Sequence, residues 1–431
     1  MSAGERTATR SEELYRRATD LLPGGVNSPV RAMRAIGRDP LFIERGEGPF
    51  LVDVDGNRYV DYVCSWGPLI AGHAHPEVIA AVTEAAGRGT SYGAPTEGEV
   101  ELAAEVIRRV PSAEMVRMTS SGTEASMSAI RLARAATGRD PVVKFSGAYH
   151  GHVDGLLADA GSGLATQGIP SSPGVTRAQA ADTVIVPWND REAVERAVRE
   201  RPPAAILAEP FPANMGLVPP APGFLEFLRE TADAAGALLV FDEVITGFRV
   251  ARGGAQERSG ITPDLTILGK VIGGGLPAAA YAGPRTFMQM VAPAGDVYQA
   301  GTLSGNPPAV AAGLATLRLL DDAAYLRLEQ TTRALAQGLA AAAGESGVPV
   351  KVTWAPGLLT LFFTAEDVHD LDSVKRCQMD VHAAFCRAML ANGVYLPPSQ
   401  YEAWFPSLAH GQEEIEFTLE AARGALAEVA G

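Results

Sequence analysis

Four places in the sequence put polar side chains at the ends of short apolar runs. "ALLVFDEV" ends on Asp242-Glu243, "AAILAEP" on Glu209, "LTILGK" on Lys270, and "MVRMTS" runs into Ser121-Gly122-Thr123 ahead of the helical stretch "EASMSAIRLARAATG". In open α/β sheets ligands bind beyond the carboxyl ends of the strands, so these residues are candidates for one site. Ser-Gly-Thr before a helix outlines an anion site, because a helix start offers free N–H donors and about half a positive charge. Taken alone, the same tripeptide is an ordinary helix cap, and a lysine after a strand is ordinarily solvated surface. Lys270, however, is followed by Gly273-Gly274-Gly275. A lysine that forms an imine must reach a carbonyl in a dry, crowded place, and glycines let backbone pass close to a planar ligand. Asp242 supplies an anion for a ring nitrogen, and Tyr149 in "FSGAYHGH" an aromatic cover for a ring face. A phosphate cradle, an imine lysine and a buried aspartate together describe pyridoxal 5'-phosphate.

The elements that must position these residues are visible as texture. From about Pro76 to Gly283, helices of 10 to 20 residues alternate with seven buried runs, "MVRMTS", "VVKFSG", "TVIVP", "AAILAEP", "ALLVFDEV", "LTILGK" and "AAAYAG". That alternation predicts a mostly parallel sheet with helices on both faces. Before it, a short helix near Ser11 to Leu22 precedes an alternating segment with turns at Gly46-Glu47-Gly48 and Asp55-Gly56-Asn57, a small antiparallel meander. After it, a long helical stretch from Asn306 to about Gly344 leads to strands near 350–352 and 358–363 and helices near 373–392 and 413–429. The expected fold class is α/β, a large domain with a seven-stranded sheet between helices plus a small α+β domain from both chain ends. The expected boundaries are 1–70, 71–320 and 321–431.

With 431 residues and 47% hydrophobic content, the chain can build a sizeable core. A net charge of -14 without a basic run argues against nucleic acid. Three scattered cysteines, Cys64, Cys377 and Cys386, signal neither a disulfide framework nor a zinc site and fit a reducing cytoplasm. No apolar signal core or membrane-length stretch is present, so neither export nor a membrane is expected. "YHGHVD" spaces His150, His152 and Asp154 as ligands on one strand face, and "GHAHP" adds His73 and His75, but short His-x-His matches are common by chance and no metal is expected. Glu209 and Glu243 read as support for the site rather than an acid/base pair, Glu243 pointing away from Asp242 if the strand continues. Trp66 in "CSWGP" is core or pocket wall, and the sequence leaves that open.

The motifs "SSGTEA", "AYHG", "FDEVITGFR" and "LGKVIGGGLP" resemble those of the class III aminotransferases, which have the type I fold of pyridoxal phosphate enzymes. Longer stretches, "PGGVNSPVRA", "SWGPLIAGHAHP", "SYGAPTE", "GSGLATQGIPSSPGV", "YQAGTLSGNP" and "EAWFPSLAHG", are similar to the aminomutase branch of that family, and the match runs from about residue 10 to the C-terminus. The resemblance implies that Lys270 carries the imine and shuttles protons, that Asp242 pairs with the pyridine nitrogen, and that Val244 and Tyr149 flank the ring. It implies that Ser121, Gly122 and Thr123 hold the phosphate, that Thr302 reaches the phosphate of the neighbouring subunit in a homodimer, and that Asn214 bonds the ring hydroxyl. Ser28 and Arg31 would clamp a substrate carboxylate, which suits an acidic protein that must place a guanidinium locally. Glu402 matches an acidic residue near the site.

The reaction so implied converts glutamate 1-semialdehyde to 5-aminolevulinate through 4,5-diaminovalerate, with the cofactor cycling through its pyridoxamine form, in tetrapyrrole (porphyrin) biosynthesis. Because an escaping intermediate would strand the enzyme, the loop Gly161 to Gly174 is expected to act as a lid. A reductase that makes the unstable aldehyde is the partner the resemblance suggests. Departures from the family pattern are Ser120, Asp159 and the run Phe211-Pro212-Ala213, the last bulky enough to shift Asn214. The rival activity is that of a class III ω-aminotransferase, which passes the amine to a separate 2-oxo acid.

Overall fold

The computed structural model describes residues 9–158 and 172–430. After the helix α1 (Thr9–Leu21), the alternating segment forms the antiparallel strands β1 (Ile43–Glu47), β2 (Phe50–Asp53) and β3 (Arg58–Asp61). Two helices, α2 (Pro76–Arg88) and α3 (Glu97–Arg109), lead into the large sheet. Its strands are β4 (Met115–Thr119), β5 (Val142–Phe145), β6 (Thr183–Val186), β7 (Ala205–Ala208), β8 (Leu238–Glu243), β9 (Leu265–Leu268) and β10 (Ala279–Gly283), in the order β4-β10-β9-β8-β7-β5-β6. The seven expected strands are all present. β5, β7, β8, β9 and β10 are buried along their whole length, because helices cover both faces.

β10 runs antiparallel to both its neighbours, β4 and β9. The connection 269–278 explains this: it holds no α-helix, and a parallel return needs a crossover of a dozen or more residues. The chain therefore doubles back immediately after Lys270. β7, β8 and β9 are adjacent and parallel, with Ala208 opposite Phe241 and Glu243 opposite Leu268. Glu209, Asp242 and Lys270 thus lie at the same edge of three neighbouring strands, which at about 4.8 Å spacing spans about 10 Å, the width of a small aromatic ligand.

The C-terminal segment contributes β11 (Lys351–Ala355) paired with β12 (Leu358–Phe362), and β13 (Val394–Tyr395). β13 lies parallel to β3, Val394 opposite Val60, so the two ends of the chain share one sheet. Two expected helices are divided. The stretch expected to run from Asn306 is two helices, Pro307–Leu319 and Asp322–Ser346, because Asp321 accepts from the Ala324 N–H at 2.8 Å and restarts the helix as a cap. The stretch near 373–392 is Leu371–Lys375 and Met379–Ala391, separated where the Gln378 N–H turns to donate to the Phe363 carbonyl at 2.9 Å. Among the described residues no helix is long and apolar enough to cross a membrane.

The packing of the C-terminal segment leaves a pH signature. His382 and His410 are buried, and His410 stacks on Tyr62 with ring centroids 4.5 Å apart. Burial pushes both imidazoles down to about 4 from the ordinary 6.5. The folded pKa lies below the unfolded one, so the stabilisation is complete above about pH 6.5 and is lost as pH falls towards 4. Each ring contributes a slope of about 1.4 kcal/mol per pH unit inside that window. Chemical denaturation midpoints are expected to fall between pH 7 and pH 5, and His382→Leu is expected to flatten that fall by about half; a midpoint independent of pH would contradict the assignment.

Candidate active site

The carboxyl edge of the sheet opens into a cavity of ≈ 390 Å³. Ser121, Gly122, Thr123, Tyr149, Asn214, Asp242, Val244 and Lys270 all line it, together with Glu209 and Phe211. The residues expected to bind a cofactor within one subunit are therefore brought to one place.

Helix α4 (Gly122–Thr137) starts at the cavity. Ser121 caps it, its Oγ accepting from the Glu124 N–H at 3.2 Å, while Glu124 Oε2 accepts from the N–H groups of Ser120 (2.7 Å) and Ser121 (3.0 Å). Capping and anion binding are thus not alternatives here: the cap uses the Ser121 hydroxyl, and the Gly122 and Thr123 N–H groups have no acceptor among the described residues. Gly122 must be small, since a Cβ there would come within 3.2 Å of Val244. Gly151, at φ +83°, lets the loop after β5 close on Thr123, where a Cβ would lie 2.5 Å from its Oγ1.

Asp242 is 4% exposed. Its Oδ1 accepts from the Val244 N–H at 3.0 Å, and its Oδ2 lies 2.7 Å from His150 Nδ1. A carboxylate offers about four acceptor positions, so Asp242 keeps capacity for a ring N–H. His150 is the residue that sequence reasoning missed. It drew notice only as a metal-like pair with His152, yet the structure puts it behind Asp242, fully buried. The available signal was its place beside Tyr149 in a loop already assigned to the site.

Glu209 organises the opposite wall. Its carboxylate accepts from the N–H groups of Tyr149 (2.7 Å) and Ala213 (3.1 Å), and both oxygens lie 2.9 Å from Asn214 Nδ2. Burial pushes its pKa up, with Asp242 adding to the rise, while His150 and the backbone donors oppose it. The run Phe211-Pro212-Ala213 leaves Asn214 tied to Glu209 and on the cavity wall. Glu243 points away from Asp242, as the strand alternation predicts, and accepts from the N–H groups of Ala255 (2.6 Å) and Gln256 (3.2 Å) at the start of the helix Gly254–Ser259. Trp66 is part-buried against a cluster containing Cys64 and Phe405, outside the cavity lining.

Lys270 stands at φ +49°, a left-handed conformation that costs a non-glycine residue about 1 kcal/mol or more. The turn folds its side chain back over the sheet edge. Burial lowers its pKa, Arg249 acts in the same direction, and the carboxylates of Glu402, Glu209 and Asp242 oppose the shift. Glu402, from the far end of the chain, also helps burial to raise the Tyr149 phenol. Ser28 and Arg31 flank and occupy the short turn Pro29–Ala32; Arg31 is exposed, and neither lines the cavity. Thr302 is exposed and away from this cavity. Asp159 and most of the expected lid, Gly161 to Gly174, lie outside the described residues.

The donor set fits pyridoxal phosphate. Two free N–H groups at a helix start suit a phosphate, the anchored Asp242 suits a pyridinium nitrogen, and a lysine disposed to lose its proton suits a carbonyl. Glycines keep the space around Val244 clear, since a Cβ at Gly269 would also meet Val244, at 3.1 Å.

The model of the family "Aminotransferase class-III" matches residues 33–426. The chain is 59% identical over 97% of its length, and 98% of the relative's, to the glutamate-1-semialdehyde 2,1-aminomutase of Roseiflexus castenholzii. It is 58% identical, with the same coverage, to that of Thermomicrobium roseum. Among solved structures, an omega-transaminase from Sphaerobacter thermophilus superposes with a TM-score of 0.91 at 34% identity over 98% of both chains. A glutamate-1-semialdehyde-aminomutase from Pseudomonas aeruginosa does so at 0.87 and 29% identity, covering 98% of this chain and 95% of that one.

Proposed function

Because the chain belongs to the class III aminotransferase family, we infer that its cavity binds pyridoxal 5'-phosphate and that the protein is an isomerase, converting glutamate 1-semialdehyde to 5-aminolevulinate by moving an amino group within one substrate skeleton. The cofactor chemistry rests on the convergence of Lys270, Asp242 and the open start of α4 on one cavity. The choice of substrate is carried by one observation, the identity of 59% maintained across 97% of the chain with an aminomutase.

When bound, pyridoxal phosphate supplies an electron sink and carries the migrating amine. The residues of the chain do the rest. Lys270 Nζ would anchor the cofactor and move protons between substrate carbons; burial lowers its pKa, which favours the neutral amine that both tasks need. Asp242, fixed by His150 and the Val244 N–H, keeps a proton on the ring nitrogen. Ser121, Gly122 and Thr123 take the phosphate, Asn214 the ring hydroxyl, and Val244 and Tyr149 the two ring faces. Ser28 and Arg31 supply the carboxylate clamp, with Glu402 beside Lys270; the exposure of Arg31 leaves its guanidinium available to move in.

We extend this reading to a homodimer in which Thr302 serves the neighbouring copy's phosphate. The exposure of Thr302, with Tyr298 71% and Leu303 52% exposed around it, supports such a contact. The same reading puts the enzyme in the cytoplasm, with three free, buried cysteines, downstream of a reductase that produces the aldehyde. The division near residues 70 and 320 into a cofactor domain and a small domain belongs to it as well.

One assay tests the reaction. Purified protein loaded with cofactor is expected to form 5-aminolevulinate from glutamate 1-semialdehyde with no second substrate, and added 2-oxo acids are expected to leave the rate unchanged. Turnover that stops without an added 2-oxo acid would assign the chain to the ω-aminotransferases instead.

A further inference from the structure

Arg249 follows β8 by six residues and is 0% exposed. Its guanidinium donates only to carbonyl oxygens, from Nη1 to Gly357 (3.0 Å) and Pro406 (3.2 Å) and from Nη2 to Gly67, while Nε is buried with no partner. No carboxylate is among its hydrogen-bond or ion-pair partners in the described residues. A buried cation balanced only by carbonyl dipoles is costly and projects positive potential into its surroundings. The carbonyl it holds most closely belongs to an unusual turn. Cys64, Ser65 and Trp66 are successive non-glycine residues in the left-handed region, with φ of 43°, 58° and 68°. Gly67 then lies against the site: a Cβ there would meet Phe405 at 3.0 Å and Lys270 Cδ at 3.4 Å. Arg249 itself sits with its guanidinium carbon 5.3 Å from the centre of the Phe405 ring.

We propose that Arg249 is a positioning residue for Lys270, pinning the turn Cys64–Gly67 against the lysine stem and supplying a fixed positive charge that keeps the amine deprotonated for reaction. Burial is the main cause that lowers the Lys270 pKa, and Arg249 acts in the same direction against the carboxylates that face the lysine. Glu402, Glu209 and Asp242 are carboxylates that favour the ammonium, the Tyr149 phenol is held neutral, and His150 is engaged by Asp242. The three carboxylates favour the ammonium, so a fixed cation near the lysine favours the neutral amine. Arg249 adds to the effect of burial and, despite burial lowering its own pKa to about 10, remains charged at neutral pH.

The inference rests on Lys270 being the reacting amine, and its test reads that amine directly rather than turnover. The chain has four lysines, Lys144, Lys270, Lys351 and Lys375, so acylation can be followed site by site. The full-length enzyme loaded with pyridoxamine 5'-phosphate, the form in which Lys270 is not bonded to the cofactor, is treated with acetic anhydride across a pH series, and the Lys270 peptide is quantified by mass spectrometry with exposed Lys375 as internal control. Arg249→Gln keeps hydrogen-bond donors but removes the charge; it is expected to raise the pH of half-maximal Lys270 acylation by about one unit, about a tenfold slower reaction below the midpoint. Arg249→Lys keeps the charge and is expected to stay within about 0.3 units of the parent while lowering the melting temperature. A folded Arg249→Gln protein with an unchanged Lys270 midpoint overturns the proposal, as does an Arg249→Lys protein shifted by a full unit. If Arg249→Gln does not accumulate as folded protein, the Arg249→Lys midpoint decides alone, an unmoved value supporting the role and an upward shift refuting it.

Discussion

Lys270→Ala is expected to abolish turnover of glutamate 1-semialdehyde, by at least about 10³-fold, while leaving the cofactor bound. The two halves of that outcome come from different parts of the site. In the proposed mechanism Nζ is both the covalent hold on the cofactor and the base that moves protons, and among the described residues no second lysine lines the cavity. Glu402, Glu209 and Asp242 face the position, but Glu209 is engaged by Asn214 and Asp242 by His150, and none of the three is an amine that could replace it. Retention of the cofactor is expected from the proposed contacts that stay: the N–H groups of Gly122 and Thr123, the anchored carboxylate of Asp242, and the cavity walls at Tyr149 and Val244. Absorbance of the purified variant checks the second half and single-substrate turnover the first. Activity near that of the parent enzyme would remove Lys270 from the mechanism, and a variant that no longer bound cofactor would show that the non-covalent contacts are weaker than their geometry suggests.

Asp242→Asn is expected to lower kcat by about 10² to 10³, a range typical of removing one preorganised electrostatic group. The substitution keeps shape and removes charge. A neutral amide cannot hold a proton on the ring nitrogen, and its NH₂ group competes as a donor with that same N–H. His150 adds to the effect, since its Nδ1 lies 2.7 Å from Asp242 Oδ2 and the pair is shut off from water. In the parent enzyme this contact orients the carboxylate; an amide has one acceptor oxygen for the two positions that face His150 and the Val244 N–H, so one of these contacts meets an NH₂ donor. The spectrum of the bound cofactor is expected to change along with kcat, because the role proposed for the residue is to keep the ring protonated. A variant with unchanged kcat and spectrum would show that the ring nitrogen is served by another group. The size of the predicted loss separates Asp242 from Glu243, the next residue on the strand, whose carboxylate is consumed by the helix Gly254–Ser259 and whose substitution should act on stability.

How far the sequence reaches can be judged residue by residue. The strand runs of the large sheet are legible because a strand buried on both faces has to be a short, nearly continuous apolar run, and four of the seven runs lead into a polar candidate residue. Asp242 against Glu243 is legible for a similar reason, since alternation along a strand is a local rule. The helix division at Asp321 was there to be read as a cap signal but was hidden in a continuous Ala/Leu-rich pattern, and the reversal of β10 needed only the length of one connection. His150 was visible as a residue but not as a partner, because a two-residue spacing says nothing about which strand end the loop folds onto.

What the sequence by itself determined is therefore the inventory and the local order: the sheet, the lysine, the aspartate and the helix start that suit a phosphorylated aldehyde cofactor. Tertiary structure alone decided the surroundings in which they work. It set Glu402 beside Lys270 across 132 positions of chain, put His150 behind Asp242, and wedged an unpaired Arg249 among carbonyls of Gly67, Gly357 and Pro406. The physical reason is one of range. Hydrophobic periodicity and capping act over a few residues and are written in the local sequence, whereas the charge state of a buried amine depends on fields from groups brought together only by packing.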